Sequence, residues 1–398
     1  MTRFSLTYFV VFAVLTAAGC SAPQPSDPSP EPAIPQEPTP SPQFDFLAVT
    51  EDGLVLLDDL TSSPRHIADG IWQRRFVSRS PSGNEAVIAF RDGDSTRLAR
   101  VHVDEGRLRR LHASTGDVEY TAAWAPDAER VLFGYRSSGS GDVAISTPDG
   151  LVDPGCSSST VAAHWPDADR LVTGDGSNRY VVSADGCSTF ASVDVRKMHH
   201  LTYPTGGRKM AYIFRDLVYD RENRSYVPDS TLFIADLDGS NAEELFDDAY
   251  KPRHLAWSPD GSTLAFDVRL QEAPNRRRIV LKELDAEFTY LIAPTDFADA
   301  DVERPVWSPS GRHVAFDLVE DGSVSKAVRS FGGTDVLTTS ADSTWGWVDD
   351  ETLVVVTDDD SLRGFSIDGE ERFTLAPETA LILARGRDVP GARSSPSE

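Results

Sequence analysis

The sequence predicts an all-β fold made of small sheets that repeat along the chain. A motif made of an aromatic residue, a Ser-Pro-Asp-Gly turn and a short apolar strand recurs, and further apolar strands fill the intervals. The copies are spaced at roughly 38 to 55 residues, which is typical of one four-stranded blade per repeat. We therefore predict a single β-propeller of seven or eight four-stranded blades.

The motif is clearest at residues 257–266 and 307–316, which read WSPDGSTLAF and WSPSGRHVAF. Its middle is a tight turn, because proline presets φ, aspartate bonds its own backbone and glycine supplies a positive φ. We expect the aromatic residue to pack against the next blade, since one sheet cannot bury its faces alone. Weaker copies centre on Ser80, Trp124, Trp165, Tyr203 and Trp347.

The number of blades depends on how the ends of the repeat region pair. Seven motif copies define seven units, and two apolar segments, 46–50 and 54–58, precede the first copy. A further apolar segment, 379–384, follows the last complete unit. Pairing it with the N-terminal strands would close the ring and remove exposed sheet edges. We therefore favour eight blades over seven, closed by this C-terminal strand.

A third strand often follows the motif and ends in another tight turn, most clearly at 232–241, which reads LFIADLDGSN. Together with the motif, this string resembles the TolB-type propeller repeat, which is also found in the propellers of prolyl oligopeptidases and is similar to WD-type repeats. The resemblance covers most of residues 44–388. It implies a propeller but no single function, because this repeat serves many roles.

The N-terminus has the features of an export signal. Arg3 precedes an apolar stretch of about 14 residues, which is shorter than the roughly 20 that span a bilayer. The sequence LTAAGC at 15–20 resembles a bacterial lipobox, which implies cleavage before Cys20 and acylation of its thiol. Ser21, in place of Asp, then implies the outer membrane. A plain secretory cleavage site is the alternative.

The predicted domains follow from these features. Residues 1–19 are a lipoprotein signal peptide, and residues 20–43 are the lipidated cysteine and a tether. Nine of residues 21–43 are proline, so we expect an extended polyproline II spacer. Residues 44–388 form the propeller, and residues 389–398 are predicted to be a disordered tail.

The chain is strongly acidic, with 38 basic and 63 acidic side chains and a formal net charge of −25. Such a chain repels nucleic-acid phosphates and anionic headgroups, so the sequence argues against nucleic-acid binding. Acidity also favours solubility, and a cationic ligand or basic partner surface is the alternative. We expect a monomer.

Cys156 and Cys187 are the two cysteines of the predicted folded region. In an exported protein they are candidates for a disulfide. The bond would close a loop of about 31 residues and contribute roughly 3 kcal/mol in the chain-entropy model. Two free, buried thiols are the alternative.

The sequence contains none of the familiar catalytic motifs, with no G-x-S-x-G, H-E-x-x-H, C-x-x-C or G-x-G-x-x-G. Acidic clusters at 92–94, 236–239 and 358–360 lack the full calcium-loop pattern, so we interpret them as solvated turn aspartates. We expect no cofactor and no metal.

His200, His254 and Arg304 form the candidate ligand patch. Each stands three residues before the motif aromatic, so three consecutive blades would present polar groups at equivalent points of the inner strand. The patch could take an acidic peptide or a carboxylated sugar; polar residues without a ligand are the alternative. His199 adjoins it on the other face. The insert 215–230 is either a recognition loop or a plain surface hairpin.

These features favour a non-catalytic protein-binding or scaffold propeller, anchored in the cell envelope, with an envelope protein as its partner. In the TolB family the propeller contacts an outer-membrane lipoprotein, but the α/β domain that precedes it there is replaced here by the linker 21–43. The alternative is a propeller enzyme acting on acidic sugars, similar to oligogalacturonate lyases, at the channel mouth. A structural or sensory lipoprotein without a fixed partner is a third possibility.

Overall fold

The computed structural model describes residues 44–386 with internal gaps at 51–52, 58–64, 70–76, 81, 104–105, 116–117, 138–139, 156–160, 168, 176, 185–187, 221–223, 247–249, 270–275, 285, 287–288, 293–299, 331–338, 341–342, 358 and 376–379. The predicted signal peptide, the lipidation site Cys20, the tether, the pair Cys156 and Cys187, and the tail 389–398 lie outside the described residues. Among the residues described, no helix has the length and apolar character needed to cross a membrane.

The described residues form eight antiparallel sheets of four strands each, which we number in chain order. Sheet 1 joins the first three strands and the last one: β1 Phe44–Thr50, β2 Gly53–Leu57, β3 Arg65–Ala68 and β32 Ala380–Gly386. Sheet 2 contains β4 Val77–Arg79, β5 Glu85–Asp92, β6 Ser95–His102 and β7 Arg107–Thr115. Sheet 3 contains β8 Glu119–Trp124, β9 Val131–Ser137, β10 Ser140–Ser146 and β11 Leu151–Val152.

The remaining sheets follow the same plan. Sheet 4 contains β12 Val161–His164, β13 Arg170–Gly174, β14 Asn178–Ser183 and β15 Thr189–Asp194. Sheet 5 contains β16 Met198–Thr202, β17 Lys209–Asp220, β18 Ser225–Asp236 and β19 Glu243–Phe246. Sheet 6 contains β20 Arg253–Trp257, β21 Thr263–Arg269, β22 Arg277–Glu283 and β23 Thr289–Ile292. Sheet 7 contains β24 Asp301–Trp307, β25 His313–Glu320, β26 Ser323–Ser330 and β27 Thr339–Ser340. Sheet 8 contains β28 Ser343–Trp347, β29 Thr352–Val356, β30 Leu362–Ser366 and β31 Glu371–Leu375.

In sheets 2 to 8 the spatial order of the strands is their order in the chain. The first strands of neighbouring sheets contact each other, as β8 does β12 and β20 does both β16 and β24, so these strands form the inner side of the assembly. In sheet 1 the order is β3-β2-β1-β32, and β32 pairs along β1 from Phe44↔Gly386 to Val49↔Ala380. The last strand of the chain therefore takes the first position of that sheet.

The core consists of clusters that each join two consecutive sheets. Trp165, for example, packs with Leu132 of sheet 3 and Leu171 of sheet 4. Sheet 1 takes part in two such clusters, because successive side chains of a strand point to opposite faces. Phe46 packs against sheet 8, and Leu47 packs against sheet 2.

The turn and the strand of the motif fold as the sequence predicts, but the prediction that the aromatic residue packs against the next blade is wrong. In the copy beginning at Trp257, the amide of Gly261 donates to the carbonyl of Ser258 at 2.9 Å, and the glycine has a φ of +71°. The strand that follows is buried from Leu264 to Phe266. The aromatic residue packs on the preceding sheet: the indole Nε1 of Trp307 donates to the carbonyl of Ala256 at 3.1 Å. The indole of Trp347 donates in the same way to the carbonyl of Val306 at 3.1 Å, so two of the motif tryptophans bridge back to the sheet before their own.

The insert 215–230 extends two strands into a long hairpin. Strands β17 and β18 have 12 residues each and pair from Lys209↔Asp236 to Asp220↔Ser225. The hairpin projects from the edge of sheet 5 that is opposite to the motif turns. We refer below to the edge that carries the motif turns as the motif edge and to the other as the opposite edge.

Candidate functional site

His200, His254 and Arg304 lie at equivalent points of three consecutive inner strands, β16, β20 and β24. Their φ angles are +52°, +48° and +57°, in the left-handed region that non-glycine residues rarely adopt. Each also lies within a shift of the pairing register with the second strand, which is a β-bulge. Backbone strain of this kind persists only where the surroundings enforce it, and it is concentrated at functional sites.

A buried aspartate holds two of these three residues. Nδ1 of His254 is 2.5 Å from Oδ2 of Asp267, and Nη1 of Arg304 is 3.3 Å from Oδ2 of Asp317. Both aspartates directly follow the apolar strand of the motif, on β21 and β25, and both are almost fully buried. The motif therefore positions a carboxylate beneath the bulge of its own sheet.

Each aspartate is matched on its other oxygen by a buried cation from the third strand. In sheet 6, Oδ1 of Asp267 accepts from Nη1 of Arg277, and in sheet 7, Nζ of Lys326 donates to Oδ1 of Asp317 at 2.6 Å. Both cations are at most 2% exposed. A buried charge is costly unless it is paired, and in each sheet the buried cation and the buried carboxylate provide that pairing for each other.

The two sheets are also connected through Asp267. Its Oδ2 accepts from the backbone amide of Arg304 at 3.5 Å, so one carboxylate contacts the bulges of both strands. His254 and Arg304 are consequently fixed relative to each other, while the Arg304 side chain remains 54% exposed. Arg304 therefore presents its cationic side chain to solvent, while its backbone is held in place by Asp267.

His200 differs from the other two patch residues. Ile213 stands on β17 at the position that the motif alignment matches to Asp267, so sheet 5 lacks the supporting carboxylate there. The pKa of His200 is lowered by desolvation first and then by nearby positive groups, namely Arg215, His254, His199 and Arg253. The three predicted residues therefore come together, but the equivalence that the sequence suggested holds for only two.

We define the inner basic cluster as the group His199, His200, Arg215, Arg253, His254 and Arg304. The long hairpin borders it, because His199 pairs with Ile213 and the hairpin continues past that point along the opposite edge. Nζ of Lys197 bonds Oδ2 of Asp216 at 2.7 Å at the start of the extension. The insert and the patch, which the sequence analysis treated as separate features, are thus neighbours.

His254, Asp267 and Glu303 are the one group in the described part of the chain whose ligand atoms, within 4.8 Å of one another, could hold a metal ion. The guanidinium of Arg277 bonds Asp267, and its Nε is 4.0 Å from Oε2 of Glu303. A divalent cation would stand beside this positive charge, which repels it. The residues present fit an ion-pair network better than a metal centre.

The acidic turn clusters engage their own loops. In the second cluster, Oδ1 of Asp238 accepts from the Ser240 amide at 2.9 Å, and the side-chain bond to Ser240 contributes most to lowering the pKa of Asp238. In the third, Oδ1 of Asp359 accepts from the hydroxyls of Thr357 and Ser361 at 2.6 Å. These contacts are those of Asx turns.

Sequence reasoning missed Asp267, Asp317, Arg277 and Lys326. A signal for the aspartates was present, because both near-consensus motif copies continue from the apolar strand into Asp. A signal for the cations was weaker. Lys326 is a single basic residue in a buried strand, Arg277 is the middle of a run of three arginines at 276–278, and only the pairing of the strands shows which carboxylate each one faces.

No family model matches the sequence, and no curated protein sequence matches it. Among solved structures, a eukaryotic initiation factor is similar with a TM-score of 0.52 and 11% identity, covering 87% of this chain and 98% of that one. An oligogalacturonate lyase in complex with manganese has a TM-score of 0.50 and 12% identity, covering 86% of this chain and 96% of that one. TolB from Acinetobacter baumannii has a TM-score of 0.35 and 11% identity, covering 87% of this chain and 65% of that one.

At such low identity the first two of these structures, with TM-scores of 0.52 and 0.50, show the fold and nothing about activity. They agree with the succession of four-stranded antiparallel sheets described above. This chain therefore has the β-propeller fold that the repeated motif predicted.

Proposed function

We propose that this protein is a non-catalytic binding module of the cell envelope, anchored through a lipid on Cys20. In this proposal its eight sheets are the eight blades of one closed propeller. The inner basic cluster binds an acidic segment of an envelope protein.

Ring closure is supported by the core and by the pairing of the chain ends. Eight clusters each join two consecutive sheets, and one of them joins sheet 8 to sheet 1 through Phe46 and Phe373. The rings of these two residues are 4.8 Å apart. The pairing of β32 with β1 leaves sheet 1 with four strands like its neighbours.

The observation that carries the binding proposal is a local reversal of charge. The whole chain has a formal net charge of −25, yet basic side chains of three consecutive sheets, 5 to 7, come together in the inner basic cluster. Charge complementarity steers partners and selects among them, so this surface favours an acidic segment over the neutral or basic ones. The bulges and buried aspartates hold His254 and Arg304 in place, which reduces the entropy lost on binding.

Titration calorimetry on the full-length protein tests this proposal. The ligands are a ten-residue peptide that alternates Glu and Ser and the same peptide with Gln in place of Glu. We expect the acidic peptide alone to bind, and the double substitution Arg253→Gln with Arg304→Gln to weaken its binding by about tenfold or more.

Arg312→Gln is the matched control, since Arg312 is an exposed arginine of the same sheet 7 on the motif edge. Its substitution should leave peptide binding unchanged. Equal binding of the two peptides, or equal loss in the control, would contradict the proposal.

One observation favours the second candidate, an enzyme acting on acidic sugars. Asp267 orients the imidazole of His254, which is the relation that a general base has to its supporting carboxylate. Arg304 could then hold a sugar carboxylate beside it. The assay is the conversion of oligogalacturonate to an unsaturated product that absorbs ultraviolet light. If the protein carries out this conversion and His254→Asn abolishes it, the lyase activity is the function and the proposal of a non-catalytic binding module is wrong.

A further inference from the structure

Three of the six members of the inner basic cluster are histidines, so the charge of this surface depends on pH. An imidazole changes its charge between about pH 5 and pH 8, whereas Arg215, Arg253 and Arg304 stay charged throughout that range. The side chains of His199 and His200 are exposed, and a ligand of the cluster can reach them. Binding of an acidic ligand at this surface is therefore open to regulation by protons.

His200 differs from His254 in the group that stands beneath its bulge. The carboxylate of Asp267 contacts the imidazole of His254, with 2.5 Å between Oδ2 and Nδ1. The equivalent position of sheet 5 is Ile213, whose side chain is buried in the apolar cluster between sheets 5 and 6. A carboxylate that a ligand brings to the cluster would supply the counter-charge that sheet 5 does not place there.

Basic groups approach His200 from its own strand and from both strands that pack on it. Those strands are β17, which contributes Arg215, and β20, which contributes Arg253 and His254. His199 precedes it on β16. The partial loss of hydration is the largest cause that lowers the pKa of His200 below 6.5, and repulsion by these four groups lowers it further. A nearby negative charge would reverse this repulsion.

The acidic groups of this region have basic partners of their own. Asp216 is the acidic residue of β16, β17 and β20 whose side chain the structure describes, and its Oδ2 is 2.7 Å from Nζ of Lys197. In sheets 6 and 7, Asp267 and Asp317 each bond a buried cation. The guanidinium that bonds Asp267 also lies 4.0 Å from Oε2 of Glu303. A protonated His200 would therefore find its counter-charge mainly on an acidic ligand.

We propose that the inner basic cluster takes up a proton on His200 when it binds an acidic segment, so that mild acidity strengthens the complex. This inference rests on the proposed function and adds the regulation of the same site. The proton comes from the solvent and is held on the imidazole ring, which then pairs with a carboxylate of the ligand. Because a ligand that favours the protonated ring must in turn be favoured by protonation, affinity rises as pH falls.

Titration calorimetry of the full-length protein with the Glu and Ser peptide, in buffers of different ionisation enthalpy, measures the protons taken up per bound peptide. Glutamate has an ordinary pKa of about 4.3, so the charge of the peptide is nearly constant between pH 7.5 and pH 6.0. We expect the affinity to rise about threefold over this interval, with a net uptake of roughly half a proton at the acidic end.

Two substitutions of His200 separate its titration from its shape. Asparagine tolerates a positive φ, so His200→Asn keeps the bulge and should remove most of the proton uptake. Arginine occupies the equivalent bulge at Arg304, with a φ of +57°. His200→Arg should therefore bind the peptide at pH 7.5 at least as tightly as the unsubstituted protein does at pH 6.0, without proton uptake at this position.

His66→Gln is the matched control, because His66 is an exposed histidine on the outer strand of sheet 1. It should keep both the proton uptake and the rise in affinity. Peptide binding without proton uptake, or the same uptake in His200→Asn as in the unsubstituted protein, would overturn this inference and leave the proposed binding function standing. No binding of the acidic peptide at either pH would contradict the proposed function and this inference with it.

Discussion

The carboxylate of Asp267 is fully buried and contacts three partners from three strands. Arg277 bonds one of its oxygens, and His254 and the amide of Arg304 approach the other. Such a network contributes little net stability, because the gain from pairing offsets the loss of hydration. Its effect is positional: it fixes the bulges of two inner strands and the basic side chains that they present.

Asp267→Ala should therefore destabilise the protein strongly. The substitution leaves the buried guanidinium of Arg277 without its carboxylate, which costs about 3 to 5 kcal/mol of unfolding free energy. Denaturant unfolding measures this loss. The double substitution Asp267→Leu with Arg277→Met removes both charges and should lose much less. An equal loss in the single and double variants would contradict this account of the pair.

His164 makes the stability depend on pH. Its ring is buried, stacks on Tyr203 at 4.8 Å between centroids, and has Nε2 3.0 Å from the carbonyl of Gly207. Burial lowers the pKa of His164 below its ordinary value of 6.5, and the hydrogen bond to Gly207 offsets part of this. The unfolded chain therefore takes up a proton first as pH falls.

The contribution of His164 is fully present above pH 6.5 and is lost as pH falls from there through the folded-state pKa. His164→Gln should flatten the dependence of unfolding free energy on pH between about pH 7 and pH 5. The exposed His66 provides the control His66→Gln, which should leave that slope in place. A slope unchanged in His164→Gln would exclude this residue as its source.

The motif turns join neighbouring sheets as well as neighbouring strands. Gly261 has a φ of +71°, and a Cβ placed there would lie 2.9 Å from Cβ of Pro204 in sheet 5. Gly83 is its counterpart in sheet 2, with a φ of +72° and no atom within 4 Å of such a Cβ. Both glycines thus need a left-handed backbone, but a side chain at Gly261 would also collide with Pro204, whereas one at Gly83 would meet no neighbour.

Gly83→Ala should cost about 1 to 2 kcal/mol from the left-handed backbone alone. Gly261→Ala should cost at least about 1 kcal/mol more, because Pro204 must move out of a packed contact. Thermal unfolding of the two variants compares them directly. Equal losses would mean that the turn of sheet 6 does not pack on sheet 5.

Local features of the sequence predicted the elements well. The turn at Ser258–Gly261 and the buried strand after it follow from residue types that act within a few positions of each other. The direction in which the aromatic residue packs was predicted wrongly: Trp307 packs back onto Ala256 and not onto the next sheet, because this direction depends on how one sheet lies on another. The sequence pattern shows that a sheet needs a neighbour but not which surface it meets.

The candidate site was predicted only in part, because it too depends on contacts that the sequence pattern does not show. Spacing from the motif aromatic placed His200, His254 and Arg304 on equivalent strands, and the structure brings them together. The spacing could not show that Asp267 supports His254 while Ile213 leaves His200 without support. Whether a bulge residue is supported depends on a side-chain contact with a residue 10 to 15 positions away in the sequence. Many charged residues with that separation make no contact.

Across the whole molecule, charge and closure are the two properties that matter for binding. The net charge of −25 repels acidic partners in general. The inner basic cluster is a local exception to this charge. A closed ring would hold this surface rigid, because each sheet would then be packed on two neighbours.

Calorimetric unfolding of two shortened proteins tests this closure most directly. A chain that ends at residue 388 keeps β32, and a chain that ends at residue 376 lacks it, which leaves β1 unpaired on its inner side. We predict that the first unfolds like the full-length protein. The second should unfold at least about 5 °C lower and less cooperatively. The same midpoint and unfolding enthalpy for both would contradict a ring closed by β32.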